Sequence, residues 1–132
     1  MDYKSLLIID DDTDDQDIFC SAAEEVSDAI QCISMTNAKE ALQKLKAKEI
    51  IPDVIFLDLN MPIMTGQEFL QQIKQINPLN KIPVIIFTTS ASPATIAETK
   101  ELGAANFVTK PNSFDELIKI LTFLFTTKLS WA

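Results

Sequence analysis

The fold of this chain is decided by a short stretch of sequence, Val54-Ile55-Phe56-Leu57-Asp58. Four consecutive apolar residues favour a strand that is buried on both faces, as in a parallel sheet covered by helices. Three other strand-like runs also stop on residues that can do chemistry: Leu6-Leu7-Ile8-Ile9 before Asp10-Asp11-Asp12, Val84-Ile85-Ile86-Phe87 before Thr88-Thr89, and Phe107-Val108-Thr109 before Lys110-Pro111. In an open α/β sheet, ligands bind at the carboxyl ends of the strands. Carboxylates, a hydroxyl and an ammonium that are far apart in sequence are therefore expected to meet at one crevice.

Five strand-like runs alternate with five helical stretches along the chain. The strands are predicted near residues 5–10, 29–35, 53–58, 83–88 and 105–109. This alternation predicts a doubly wound, five-stranded parallel sheet with right-handed crossovers and helices on both faces. The flavodoxin-like strand order 2-1-3-4-5 is the common solution for five strands. It places strands 1 and 3 side by side and strand 2 at an edge.

Local signals mark where the helices begin and end. Capping boxes, in which a small polar residue stands three positions before a glutamate, start at Asn37, Thr65 and Ser113. Ser92-Pro93 places a capping residue before a proline at the first helical position. Asn77-Pro78 is predicted to close the third helix, and Gly103 to close the fourth as a left-handed cap.

Composition sets limits on size and function. The 132 residues are expected to form a single domain, with a core at about residues 4–126 and no second domain. The net charge is −8, there is no His, and all eleven basic residues are Lys. Catalysis by His and phosphate clamping by Arg are therefore excluded. A chain this acidic is a poor direct binder of DNA, because neutralising phosphates needs basic residues.

Two further expectations concern location and the cysteines. No apolar run approaches the roughly 20 residues of a membrane span, so the chain is expected to be cytoplasmic without membrane contact. Cys20 falls in a helical pattern and Cys32 in a strand pattern. They are interpreted as two separate thiols, buried or half-buried, and not as a disulfide scaffold.

An acidic cluster is predicted where strands 1 and 3 end. Asp10, Asp11 and Asp58 would lie within a few ångströms of one another, and carboxylates so close repel unless a cation screens them. Ligation by oxygen alone selects a hard ion, Mg²⁺ or Mn²⁺. The remaining acids of the first run, Asp12, Asp14, Asp15 and Asp17, are interpreted as charges favoured by the start of a helix.

Phosphoryl chemistry suits the same set of strand ends. A carboxylate placed like Asp58, after a buried strand, can act as a nucleophile toward phosphorus. Lys110 would neutralise one phosphoryl oxygen as a point charge, and the Thr88 hydroxyl would donate a hydrogen bond to another. Phosphoryl transfer needs mainly positioning and charge neutralisation, so these few groups suffice.

These motifs, together with Pro52-Asp53 before strand 3 and Leu59-Asn60-Met61-Pro62 after it, resemble the receiver domain of two-component response regulators. The resemblance includes the single-domain chemotaxis type and covers nearly the whole chain. It implies the following roles: Asp58 as phosphoacceptor, Asp10 and Asp11 as the acid pair for Mg²⁺, the Asn60 backbone carbonyl as a further metal ligand, Thr88 and Phe107 as the switch pair, and Lys110 as the phosphate-binding lysine.

The resemblance also implies partners. Receiver domains take a phosphoryl group from a phosphohistidine of a sensor histidine kinase or a histidine phosphotransfer protein, and they dephosphorylate themselves. With no output domain expected in this sequence, the signal would pass through helix 4, strand 5 and helix 5 to a downstream protein target or into a homodimer. Ile120, Phe123 and Trp131 suggest a contact patch on or near that face. Thr89 departs from the smaller residue common at its position, which predicts tighter access to the phosphoryl group.

Two alternatives stay open. A degenerate receiver would fold and bind proteins without being phosphorylated, although such proteins typically lack the acceptor, the acid pair or the lysine. A phosphohydrolase of the haloacid dehalogenase type would also use a nucleophilic Asp after a strand. That group places a second Asp two positions later as general acid, and here the position holds Asn60.

Overall fold

Five parallel strands form one sheet in the order β2-β1-β3-β4-β5. The computed structural model describes residues 4–126, so the expectation for Trp131 lies outside the described residues. The strands are β1 (Ser5–Ile9), β2 (Gln31–Met35), β3 (Val54–Leu57), β4 (Val84–Thr88) and β5 (Asn106–Thr109). The flavodoxin-like order predicted from the alternation is confirmed, and each strand lies within two residues of its predicted bounds.

Five α-helices connect and follow the strands. They are α1 (Thr13–Val26), α2 (Ala38–Lys46), α3 (Gly66–Ile73), α4 (Pro93–Glu101) and α5 (Phe114–Thr126), with one 3₁₀ turn at Leu79–Lys81. The predicted N-caps form, since the side chains of Asn37, Thr65, Ser92 and Ser113 each accept the backbone N–H of the residue three positions later. The reciprocal glutamate bond that completes a capping box is present at Thr65. Within residues 4–126, none of the helices combines the length and hydropathy needed to cross a membrane.

The ends of α3 and α4 differ in how well they were predicted. Gly103 follows α4 with φ +103°, as expected for a left-handed cap. The prediction that Asn77-Pro78 closes α3 is wrong, because α3 ends at Ile73. The chain tightens there into turns with three-residue spacing, in which the Ile76 N–H donates to the Ile73 carbonyl at 3.2 Å.

The core lies in two layers, one on each face of the sheet. Strands β3 and β4 are buried along their whole length, and β1 from Leu6 onward. The edge strands β2 and β5 are partly exposed, so burial on both faces holds only for the centre of the sheet. On the face that carries α1 and α5, the rings of Phe19, Phe56 and Phe87 pack together with centroids 4.7 to 6.4 Å apart.

The interpretation of the cysteines as two thiols is wrong. Cys20 in α1 and Cys32 in β2 form a disulfide, and their Cα atoms lie 5.6 Å apart. Both side chains pack against the same core layer. The helix covers the edge of the sheet at that point, which brings together two residues from different elements.

Candidate functional site

The sheet brings the predicted acids together. Ile9 and Leu57 are register partners in β1 and β3, so the residues that follow them, Asp10 and Asp58, leave the sheet side by side. The Asp58 N–H donates to the Ile9 carbonyl at 3.0 Å and extends that pairing. One carboxylate oxygen from each of Asp10, Asp11 and Asp58 lies within 4.8 Å of the others. Asp10 and Asp58 are buried and Asp11 is exposed.

The donor set fits a hard divalent cation. Three carboxylates supply only oxygen, which is the ligand type that Mg²⁺ and Mn²⁺ prefer. The side of the cluster formed by Asp11 is open to solvent. Mg²⁺ retains several of its waters when it binds to proteins, and an open side leaves room for them. These three residues could therefore hold such an ion.

Burial disfavours the ionised form of the Asp10 carboxylate. The pKa of Asp10 is raised above its ordinary value, chiefly because burial disfavours the charged form and also because Asp58 is close. Hydrogen bonds from Lys110 and from the Asp12 N–H, the latter at 3.0 Å, act in the opposite direction but do not overcome the burial. A cation bound here would favour the ionised form of this group.

Lys110 is shared among three carboxylates. Its Nζ lies 2.8 Å from Asp10 Oδ2, 2.8 Å from Asp15 Oδ2 and 3.6 Å from Asp58 Oδ2. The ammonium also lies 5.9 Å from the centroid of the Phe87 ring, within the range of a cation–π contact. Burial by itself lowers the pKa of Lys110, but the bonds to Asp10 and Asp15 and the charge of Asp58 outweigh it and raise the pKa above its usual range. These carboxylates therefore stabilise the protonated, positively charged form of Lys110.

Asp58 is positioned by close backbone packing. Its Oδ1 accepts the Leu59 N–H at 2.8 Å, which orients the carboxylate. The first turn of α3 lies against the same backbone, and the Gly66 N–H donates to the Leu59 carbonyl at 3.0 Å. A Cβ on Gly66 would press on the Asp58 carbonyl and lie 2.8 Å from Leu59 Cα. Gly66 is therefore required by a close approach, a role that sequence reasoning did not assign to it.

The loops after β3 and β4 are joined by side chains. Asn60 Nδ2 donates to Ser90 Oγ at 2.9 Å, and the Ser90 N–H donates to Thr88 Oγ1 at 3.4 Å. Thr88 is fully buried. Phe107 is half-buried and packs against the core layer on the α2 and α3 face. The roles of Asn60 as metal ligand and of Thr88 and Phe107 as switch residues stay predictions.

The acidic residues at the start of α1 have different contacts. Asp12 caps the helix, because its Oδ1 accepts the N–H groups of Asp14 and Asp15 at 2.9 and 3.1 Å. The interpretation as helix-start charge therefore suits Asp12, but it is incomplete for Asp15, which binds Lys110. Gln16, which sequence reasoning overlooked, ties α1 to the sheet by donating from Nε2 to the carbonyls of Asp10 and Met35 at 2.6 and 2.7 Å. Nothing in the residue pattern separates Asp15 from its acidic neighbours.

Comparison with known proteins agrees on one family. The family model described as the response regulator receiver domain matches residues 6–122. The two-component response regulator ORR1 of Oryza sativa subsp. japonica is 31% identical over 112 residues, which cover 80% of this chain and 48% of that protein. The chain spans about half or less of the length of the curated relatives it matches, and only 20% of a protein-glutamate methylesterase from Bacillus licheniformis.

Solved structures agree in fold along almost the whole chain. The phosphorylated cyanobacterial phytochrome response regulator RcpA superposes with a TM-score of 0.86 at 26% identity, covering 99% of this chain and 97% of that one. The Mn²⁺-bound form of the response regulator Rcp1 superposes with a TM-score of 0.79 at 26% identity, covering 98% and 96%. Both likenesses extend over the sheet and the strand ends described above.

Proposed function

We propose, from the premise that this chain belongs to the response regulator receiver domain family, that it is a phosphoacceptor signalling switch. The family is one of signalling receivers and not of conventional enzymes. The phosphoryl donor is the phosphohistidine of a sensor histidine kinase or of a histidine phosphotransfer protein, and the acceptor is Asp58. The chain itself has no His, so the donor imidazole comes from the partner.

One observation carries this proposal. The carboxylate oxygens of Asp10, Asp11 and Asp58 lie within 4.8 Å of one another, and the Lys110 ammonium is 3.6 Å from Asp58. Three negative charges beside a single ammonium leave an excess of negative charge that a divalent cation would balance. A cation and an ammonium beside the Asp58 carboxylate suit phosphoryl transfer, because the transfer depends on neutralising the phosphoryl oxygens and on in-line positioning.

The residues of this chain then have separate tasks in the transfer. A carboxylate oxygen of Asp58 forms the new bond to phosphorus, while the bond from phosphorus to the donor imidazole nitrogen breaks and its electron pair leaves with that nitrogen. Lys110 donates an N–H to one phosphoryl oxygen, and the Thr88 hydroxyl donates its O–H to another. When bound, Mg²⁺ or Mn²⁺ would neutralise charge shared between the carboxylates and the phosphoryl group. The Mn²⁺-bound form of the similar regulator Rcp1 supports a divalent ion.

Release of the phosphoryl group is the second part of the proposal. Water attacks phosphorus, the bond to the Asp58 oxygen breaks, and inorganic phosphate leaves while the carboxylate is restored. Thr89 is exposed and directly follows Thr88, so we expect its side chain to restrict the approach of that water. The signal is then limited in time by chemistry within the domain.

The output is proposed to pass through α4, β5 and α5. Phosphoryl on Asp58 draws the Thr88 hydroxyl toward it, and Phe107 turns inward to fill the space. Phe107 also lines a depression of 410 Å³ between β5 and α5 together with Ile120 and Phe123. Phe123 is 64% exposed, so movement of Phe107 would alter a surface that a downstream protein target or a second copy of the chain could contact. Direct binding to DNA is not part of this proposal, given the net charge of −8.

A mass measurement tests the acceptor. The protein is incubated with Mg²⁺ and a small phosphodonor, and its intact mass is recorded. A single phosphoryl adduct is expected in the wild type and in Asp28→Ala, an exposed control, and no adduct in Asp58→Ala. No adduct in the wild type would favour a degenerate, protein-binding receiver. Steady turnover of phosphate esters would favour a phosphohydrolase.

A further inference from the structure

Asp15 has a contact that the proposed function does not use. Its Oδ2 lies 2.8 Å from Lys110 Nζ, as close as Asp10 Oδ2, whereas Asp58 Oδ2 lies 3.6 Å away, beyond hydrogen-bond distance. We propose that Asp15 is a positioning residue, which holds the Lys110 ammonium away from Asp58 until a phosphoryl group displaces it. This inference rests on the proposed function of the same site.

Asp15 differs from the other partners of Lys110 in what else it can bind. The oxygens that converge for a cation come from Asp10, Asp11 and Asp58, so Asp15 is not among the candidate ligands. A cation that binds Asp10 and Asp58 competes with Lys110 for both carboxylates. Asp15 does not bind the cation in that state, so its ion pair with Lys110 is the one that the cation leaves undisturbed.

The backbone of Asp15 is held in place by hydrogen bonds, whereas its partly exposed side chain can release Lys110. The Asp15 N–H donates to the capping carboxylate of Asp12 at 3.1 Å, and Gln16 anchors the same helical turn to the sheet. The Asp15 side chain is 38% exposed, whereas Asp10 is 1% exposed. Asp15 and Lys110 both line a depression of about 220 Å³ beside the site, which gives the lysine room to move. Water can solvate Asp15 after release, so giving up this bond costs less than giving up the buried bond to Asp10.

The consequence is a brake on phosphoryl uptake. Lys110 has three N–H donors, and two of them bind Asp10 and Asp15 at rest. Loss of the Asp15 charge would let the ammonium, still paired with Asp10, approach Asp58 and bind an incoming phosphoryl oxygen without first breaking the ion pair with Asp15. The rate of adduct formation should then rise about fivefold, the change that corresponds to ~1 kcal/mol.

Matched variants separate this effect from general electrostatics. Asp14 lies in the same first turn of α1, so Asp14→Asn and Asp15→Asn remove the same charge from the same helix end. Adduct formation with Mg²⁺ and a small phosphodonor is followed by intact mass over a range of donor concentrations. Asp15→Asn should raise the maximal rate about fivefold with little change in the donor concentration at half-saturation, Asp14→Asn should change neither by more than about twofold, and Asp15→Glu should restore the wild-type rate.

A structural readout decides the question even if no adduct forms. Crystal structures of the wild type and of Asp15→Asn would show whether Lys110 Nζ moves from 3.6 Å to within hydrogen-bond distance of Asp58. Rates of Asp15→Asn equal to those of Asp14→Asn would overturn the inference, and so would an unmoved lysine. An absence of adduct in every variant would overturn the proposed function instead, and the position of Lys110 would then decide the role of Asp15 on its own.

Discussion

Helices α1 and α4 both begin at the site end of the sheet, but they are held to the rest of the molecule in different ways. Helix α1 buries Gln16, Phe19, Ala22 and Ala23 and is tied to β2 by the disulfide. Helix α4 buries only Thr99 among its residues. Two of the three acids that gather at the site, Asp10 and Asp11, precede α1, whereas Thr88 precedes α4.

This contrast separates the chemistry from its proposed readout. Charged groups must keep their mutual distances for metal binding and transfer, and the packed side of α1 provides that rigidity. A switch needs an element of low local stability, and a helix with one buried side chain qualifies. The two helices therefore suit different tasks, although both start a few residues after the end of a strand.

The largest expected effect is on packing. Phe19 is fully buried between the rings of Phe56 and Phe87, so Phe19→Ala should lower the free energy of unfolding by about 3–5 kcal/mol. Ile96 lies half-buried in α4, and Ile96→Ala should cost less than about 1 kcal/mol. Urea unfolding of both variants measures the difference. Equal losses would remove the distinction between the two helices.

The disulfide should account for the next largest effect. It closes a loop with a sequence separation of 12, and reduction should lower the free energy of unfolding by about 3 kcal/mol for a loop of this size. Urea unfolding with and without reductant gives the value. The variant with both Cys20→Ser and Cys32→Ser serves as control and should not respond to reductant. If the oxidised and reduced wild type unfold alike, α1 is held by packing alone.

Metal binding should stabilise the α1 end of the site. A ligand that binds only the folded state adds about 1.4 kcal/mol at ten times its dissociation constant. Mg²⁺ should therefore raise the thermal midpoint of the wild type and have little effect on Asp11→Ala, which removes an exposed member of the cluster. A similar rise in Asp28→Ala, the surface control, is expected. An equal rise in Asp11→Ala would place the ion elsewhere.

The burial of Asp10 should make the stability of the protein depend on pH. Burial raises the pKa of Asp10, so the folded, metal-free protein keeps this proton to a higher pH than the unfolded chain does. The stabilisation from the bound proton is complete below the ordinary pKa of 3.8 and is lost as the pH rises through the raised value. In a chelator, the stability of Asp10→Asn relative to the wild type should grow with pH across that window. Urea unfolding at successive pH values checks it, and a gap that shrinks with pH would contradict the sign.

The smallest expected effect is that of Thr88→Ala on the response of α4 to phosphorylation. Thr88→Ala should still take up a phosphoryl group, because Asp58, Lys110 and the acid pair are unchanged. Its α4 amides should show the same hydrogen exchange with and without phosphodonor, whereas those of the wild type should change. The α1 amides of both proteins provide the internal control. A phosphodonor response in Thr88→Ala like that of the wild type would show that Thr88 does not couple the site to α4.

The fold and the acid cluster could be predicted from local pattern. Runs such as Val54–Leu57 are apolar at every position, and a strand buried on both faces has few alternatives to the centre of a parallel sheet. Once β1 and β3 are neighbours, Asp10 and Asp58 must meet, because each directly follows its strand. The exposure of Ile18 and of Phe114, at 49% and 42%, was not predicted, since apolar spacing on a helix does not show where its packed face ends.

The caps could be predicted from residue types, and the meeting of three carboxylates from the ends of strands once the common order for five parallel strands was assumed. Three contacts appear only in the folded molecule: Cys20 meets Cys32, the backbone at Gly66 approaches Asp58 too closely for a side chain, and Lys110 divides its bonds between Asp10 and Asp15. Such contacts depend on how a helix is placed over the sheet to within about an ångström, and on where a long side chain finds its nearest opposite charge. No local pattern encodes that distance, so the partner of Lys110 at the start of α1 emerged only when the elements were packed.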